Sequence, residues 1–354
     1  MYGLTVFAAT GRGPERFRRA AGLAAEAEAA GFTAIWTGEL YSRSATIPMA
    51  ALAAATERTQ IGSCIAYGVG RSPLIWAAEA RDLDDLSGGR IILGLGNGTA
   101  AMMENWHGVS GQAPAARLEE LVPLFRQLWR LDQGPVHHDG RFYRVHVVPT
   151  DDVTPPLRPH LPIWTAGVNP AMIRAAARVA DGLVGHPMFT AEYVAEVVRP
   201  ELDAATARAG RARDDVALTG ILMCSVGDDE DAARRQLAYA IAQYAASRVY
   251  DRLFALHGWS KEQQLIRDAA RRRATEAMIA AVPDAAVDAI GVACRPGVLA
   301  ERVAGHARRY HHLNLVVPTW GLTPDQIEQA TRTIIAEMRD ALSQAAVKEQ
   351  HVAE

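Results

Sequence analysis

The sequence predicts a (β/α)8 barrel of the α/β class, and three observations carry that prediction. Short β-rich runs alternate with longer helical patterns along the whole chain, which is the signature of βα units and a parallel sheet. Eight strand-like runs can be read, each with a helical return. No linker splits the 354 residues into two halves, as a doubly wound sheet with a second domain would require. The expected organisation is one barrel domain over residues 1–345, with insertions at 132–161 and 228–310 and a fraying tail at 346–354.

The elements follow in order. Residues 3–8 form the first apolar run, and a helix over 14–30 stops at Gly31. Residues 33–38 read as the second strand, 47–57 as a short helix, and 60–67 as the third strand. Ser72-Pro73 opens the next helix as N-cap and first helical residue, and Gly88-Gly89 ends it. Residues 90–96 form the fourth strand. A loop holding Trp106 and His107 leads to a helix over 114–131. The polar, Pro-rich stretch 132–161 is long enough to be an active-site cover. Strand five is 162–167, with a helix over 170–180. Strand six is 182–185, and Thr190 caps a helix reaching 209. Strand seven is 216–226. The insertion after it reads as mostly helical, with breaks at Pro283 and 295–297. Strand eight is 313–318, and Thr323-Pro324-Asp325 starts the last helix.

Composition excludes several classes. Thirty-seven basic against 40 acidic residues give a net charge of −3, without the basic surplus a nucleic-acid partner demands. Lys261 and Lys348 are the only lysines, and neither lies in a setting for a Schiff base or a P-loop. Cys64, Cys224 and Cys294 are far apart and in no CxxC pair, which fits a reducing compartment. There is no signal-peptide pattern and no run of 18 apolar residues. The expectation is a cytoplasmic protein without a membrane segment.

Barrel chemistry sits at the C-terminal ends of the strands. That rule selects Glu39, Tyr67, Asn97, Gly98, Gly167, His186, Cys224, Ser225 and Trp320. Gly94-Leu95-Gly96-Asn97-Gly98 is not a dinucleotide fingerprint, because Thr99 stands where the third glycine belongs. The glycines either form a plain turn or let backbone approach a ring or phosphate. Glu39 is a ligand-binding carboxylate or a solvated strand end. His107 and His186 are acid–base candidates. The pairs His137-His138 and His311-His312 lack metal-site spacing, so no metal is expected. No serine lies in a G-x-S-x-G elbow.

Several runs together resemble the luciferase-like monooxygenase superfamily. They are Trp36-Thr37-Gly38-Glu39, Leu86-Ser87-Gly88-Gly89-Arg90-Ile91-Ile92-Leu93-Gly94-Leu95-Gly96, Pro162-Ile163-Trp164-Thr165-Ala166-Gly167, Ala180-Asp181-Gly182 and Leu256-His257-Gly258-Trp259. The stretch Gly185-His186-Pro187-Met188-Phe189-Thr190, with the helix through Arg199-Pro200, is similar to the branch that uses the deazaflavin coenzyme F420. The resemblance implies a barrel with its insertion after strand seven and a (deaza)flavin ring at the C-terminal mouth. It implies a non-prolyl cis peptide at Cys64-Ile65, beside Ala66, against that ring. Gly96, Asn97 and Gly98, at the end of strand four, are cofactor-binding candidates, and the resemblance places backbone at Ala166, Gly167, Val168 and Asn169 around the cofactor phosphate. A helix N-terminus there suits an anion. The chain departs from the branch after strand two, where Glu39-Leu40 replaces an Asp-His pair and Ser44 stands near a Trp position. The acid–base work would then fall to His107, His186, Tyr67 or water.

The resulting expectation is an F420-dependent oxidoreductase moving a hydride to or from a small organic substrate, with Glu39, His107 and His186 as catalytic candidates. The partner is a small molecule, and the chain is expected to form a homodimer. The alternatives are an FMNH2-dependent monooxygenase, with FMN as cofactor, and a non-catalytic flavin-binding barrel.

Overall fold

The computed structural model describes residues 1–7 and 11–353, with side chains described through 345. Eight parallel strands close into a barrel: β1 (Tyr2–Thr5), β2 (Ala34–Thr37), β3 (Gln60–Ser63), β4 (Ile91–Gly96), β5 (Ile163–Ala166), β6 (Gly182–Val184), β7 (Ala217–Val226) and β8 (His312–Val316). Each pairs with its neighbour in sequence, and β8 pairs back onto β1 with Leu313 opposite Tyr2. The barrel is thereby closed. All eight strands expected from the sequence are present, most of them shorter by a residue or two. Of the first run, residue 8 lies outside the described residues. The third run is divided: β3 ends at Ser63, and Ala66–Tyr67 pairs separately with the end of β4. Between them the Cys64–Ile65 peptide is cis, as the resemblance implied.

The lumen explains several glycines. Trp36 from β2 and Trp164 from β5 both point inward, with ring centroids 5.3 Å apart. Ala34, Ile92 and Val184 complete this inner cluster. The indoles occupy space that neighbouring side chains give up. A Cβ on Gly62 would lie 2.3 Å from the Trp36 ring, and one on Gly182 would lie 2.8 Å from Trp164. The Trp36 indole N–H donates to Nε2 of His312 at 3.1 Å, satisfying the polar handle of a buried tryptophan. A plug of this kind makes the barrel a packed core rather than a pore.

Helices cover the outside. Ser72 accepts the Ile75 N–H, Pro73 is the first helical residue, and Gly88 ends the helix Pro73–Ser87 in the left-handed conformation at φ 67°, as its sequence implies. The last helix starts at Pro324 with a reciprocal Thr323–Gln326 cap. It buries Ile327, Ile334, Ile335, Met338 and Leu342, which share one helical face. Its backbone is helical to Ala353, across the stretch expected to fray, and the side chains from 346 lie outside the described residues. Among the described residues no helix is long and apolar enough to cross a membrane.

Three elements differ from the sequence expectation. The loop after β4 is a helix, Ala100–His107, capped by Thr99. The 132–161 stretch contains a hairpin, Val136–Asp139 with Arg144–Val147. The insertion after β7 contains a strand, Gly291–Cys294, which pairs in parallel with the upper half of β7 outside the barrel. All three were obscured by the same effect, since short segments with mixed polarity take their form from what they pack on. The hairpin shows it. Glu120, on the helix Pro114–Trp129, accepts the backbone N–H groups of Arg141, Phe142 and Tyr143 and bonds His138 at 3.1 Å.

Enlarging Gly62 tests the lumen. Gly62→Ala is expected to lower unfolding stability by about 1–3 kcal/mol, because the Trp36 ring is held between strands and cannot retreat. Urea unfolding checks this, and an unchanged midpoint would show that the ring moves freely.

Candidate active site

The C-terminal mouth is organised around residues 64–67. Glu39, one residue beyond Gly38 after β2, donates its N–H to the Ile65 carbonyl at 2.9 Å, and its carboxylate accepts the Tyr67 N–H at 2.8 Å. That carboxylate also pairs with Arg71 at 2.9 Å, and Arg71 reaches Glu79 at 3.0 Å. The Arg71 guanidinium lies 4.4 Å from the Trp76 ring centre. Both side chains of the Glu39–Arg71 pair are largely buried. Glu39 is therefore fully engaged in holding the backbone on the far side of the cis peptide. That is a positioning task.

Cys64 lies at the base of the mouth, its sulfur 3.9 Å from Asn314 Nδ2. Burial pushes its thiol up to about 12, against a small opposing pull from Asn314, so it stays protonated and is a poor nucleophile. Ile65 fills the space that a side chain on Gly96 would take: a Cβ there would be 2.6 Å from Ile65 and 3.3 Å from Ala166. Ile65, Gly96 and Ala166 thus meet and form an apolar floor. Asn97 is almost wholly buried, with its amide N–H on the Pro114 carbonyl and its Oδ1 without a partner among the described residues. Gly98 takes φ +68°, which favours glycine and turns the chain into the Ala100–His107 helix.

After β5, Asn169 caps the helix Pro170–Val179 by accepting the Met172 N–H at 3.2 Å. The Val168 carbonyl accepts the Tyr193 hydroxyl at 3.0 Å. The absent side chain of Gly167 faces this helix, not the mouth, because a Cβ there would lie 2.8 Å from Met172. Packing against the helix is sufficient reason for that glycine, and close approach by an anion is not needed to explain it.

Glu39 and His107 both meet Tyr67, and among the described residues no contact joins His186 to either of them. His107 ends its helix with its ring 5.0 Å from that of Tyr67, and its buried Nε2 has no partner among the described residues. Tyr67, Trp106 and Tyr41 continue this aromatic wall on the β2–β4 side. Burial first, and the Glu39 charge second, push the Tyr67 phenol up to about 12. His186 follows β6 on the other side, among Tyr244, Tyr250 and Trp320. Its Nε2 meets the Tyr250 hydroxyl at 2.9 Å, and burial holds its pKa down to about 3. Trp320, which the strand-end rule also selected, packs edge-on against Tyr244. Cys224 is instead fully buried in the core that also holds Leu299 and Val303. Tyr244 and Tyr250 were missed by sequence reasoning. They come from the insertion after β7, and only the return of that insertion across the mouth brings them to His186.

With this geometry in place, comparison with known proteins identifies the class. The luciferase-like monooxygenase family matches residues 2–312, and the chain belongs to that family. A Mycobacterium tuberculosis protein provisionally assigned as a coenzyme F420-dependent oxidoreductase is 32% identical over 233 residues, which is 63% of this chain and 66% of that one. The fold of the coenzyme F420-dependent tetrahydromethanopterin reductase from Methanopyrus kandleri superposes with a TM-score of 0.76 at 21% identity, covering 95% and 97% of the two chains. The FMN-complexed oxygenating constituent of 3,6-diketocamphane monooxygenase from Pseudomonas putida gives 0.66 at 17%, covering 96% and 98%. The chain is an oxidoreductase of this family.

The buried histidines set an acid limit on stability. His186 and His312 are each held down to about 3 chiefly by burial, whereas an unfolded histidine titrates near roughly 6.5. Below that pH the unfolded chain takes up protons that the folded chain refuses. Their stabilising contribution is therefore complete above about 6.5 and is lost as pH falls toward the folded values. The unfolding free energy from urea titration is expected to fall steadily between pH 7 and 4, by up to about 1.4 kcal/mol per pH unit for His312. His312→Gln should flatten part of that slope, and an unchanged slope would exclude His312 as a source.

Proposed function

We propose that the enzyme transfers a hydride between coenzyme F420 and a small organic substrate at the C-terminal mouth of the barrel. The observation that carries this reading is the meeting of three segments at the mouth: the apolar floor of Cys64, Ile65 and Ala66, the Gly96–Asn97–Gly98 turn, and the backbone of Ala166, Gly167, Val168 and Asn169 at a helix N-terminus. These residues suit a flat deazaflavin with an anionic tail. The floor offers a surface for a ring. The helix Pro170–Val179 offers the positive end of its dipole, with the Ala171 N–H left over because Pro170 has none and Asn169 takes that of Met172. The relationship to the mycobacterial protein supports F420 over other nucleotides.

When bound, the cofactor supplies the hydride-transfer chemistry. The chain supplies the rest. Ile65 and Ala166 support one face, Glu39 and Arg71 keep residues 65–67 in place, and the aromatic walls exclude water from the reacting carbon. Fluorescence titration of the purified chain with F420 and FMN in parallel tests the assignment. F420 is expected to bind at least tenfold tighter, about 1.4 kcal/mol. Equal affinity, or purification as a yellow FMN complex, would overturn it in favour of flavin chemistry.

A further inference from the structure

The His186–Tyr250 pair leaves a proton unassigned. The Met188 backbone N–H donates to His186 Nδ1 at 3.2 Å, so that nitrogen carries a lone pair. His186 is neutral, since burial holds its pKa far below the working range. Its one ring proton therefore sits on Nε2, which faces the Tyr250 oxygen at 2.9 Å. Tyr250 accepts that bond. Its own hydroxyl proton is then free to be donated, and no acceptor for it exists among the described residues. A buried hydroxyl with an unused donor is costly unless something takes it. Tyr250 is only 7% exposed.

The location supports a ligand as the acceptor. The Tyr244 ring lies 6.0 Å from that of Tyr250, 4.8 Å from His186 and 4.9 Å from Trp320. The cluster thus joins the insertion after β7 to Trp320, which follows β8 at the mouth.

We propose that the Tyr250 hydroxyl is the acid that donates to the oxygen of a carbonyl substrate, with His186 as the positioning residue that holds the Tyr250 oxygen. This rests on the hydride transfer proposed above and adds the substrate class, a ketone or aldehyde reduced to its alcohol. The carbonyl carbon gains a hydride from the reduced F420, and the π pair of the C=O bond moves to oxygen. That oxygen takes the Tyr250 proton. The O–H bonding pair stays on Tyr250 as a phenolate, which the His186 Nε2–H stabilises until water returns a proton. The substrate is reduced and the F420 is oxidised. Burial, then Tyr244, hold the Tyr250 phenol well above its ordinary range, so it stays protonated until a strongly basic alkoxide develops.

The test separates Tyr250 from the cofactor. Isotope-labelled cyclohexanone and benzaldehyde are added to the purified chain without F420, and the carbonyl infrared stretch is followed. The wild-type chain should move the stretch of at least one probe to lower wavenumber, and Tyr250→Phe should abolish that shift. No shift with either probe, or a shift that survives in Tyr250→Phe, overturns the proposal. With F420 in its reduced form, Tyr250→Phe should lower kcat by roughly a hundredfold. His186→Leu should lower kcat with little change in KM, and His186→Gln, whose amide donates from a similar place, should recover part of it. Equal losses in Leu and Gln would reduce His186 to packing. Failure of the wild-type chain to bind F420 would sink the proposed function, and the infrared result would still judge Tyr250.

Discussion

The structure depends on how its barrel is filled. Two indoles and an imidazole occupy the lumen at one level, and the surrounding strands carry glycine where a methyl group would collide with them. Interiors pack at the density of organic crystals, so this arrangement has little slack. It sets the distance between β2 and β5 and closes the barrel below the mouth. Everything that resembles a site stands on that plug: the Cys64–Ile65 floor follows β3 directly above Gly62, and Ala166 follows Trp164 by two residues on the same face.

Above the plug the mouth has two unlike sides. On the β2–β4 side the Glu39 carboxylate is spent. Glu39 is shared among a backbone N–H and Arg71, and Arg71 among Glu39, Glu79 and the Trp76 face. Such a network orders the chain around residues 64–67, and a carboxylate committed to it gains nothing by releasing its partners to catalysis. On the β6–β8 side the network is incomplete. His186 is locked in one tautomer by a backbone N–H, and the phenol it faces keeps a proton without an acceptor.

Much of this was legible in the sequence. Alternating β and helical periods announced a barrel, because a strand buried on both faces and a helix buried on one leave different marks in the order of residues. Ser72, Gly88 and Thr323 announced their helix ends through local hydrogen bonds and local backbone angles, which need no distant partner. The runs around Glu39, Gly96 and Gly167 pointed to the mouth, since strand C-termini are defined by chain direction alone. The order of the strands, and hence which chain segments reach the mouth, was determined by the sequence by itself.

The roles within that list were decided only by the tertiary structure. Whether Glu39 is free or bound depends on Arg71, 32 residues away. Whether Gly167 faces an anion or a helix depends on the placement of Met172. The hairpin at 132–161 exists because Glu120 gathers three of its N–H groups, and the strand Gly291–Cys294 because the upper half of β7 offers a free side. Tyr250 carries no local mark at all. Its hydroxyl meets His186, 64 residues earlier, whose own proton is placed by the Met188 N–H. Local structure follows from neighbouring residues, but the state of a proton follows from every group that surrounds it, and those groups meet only in the folded chain.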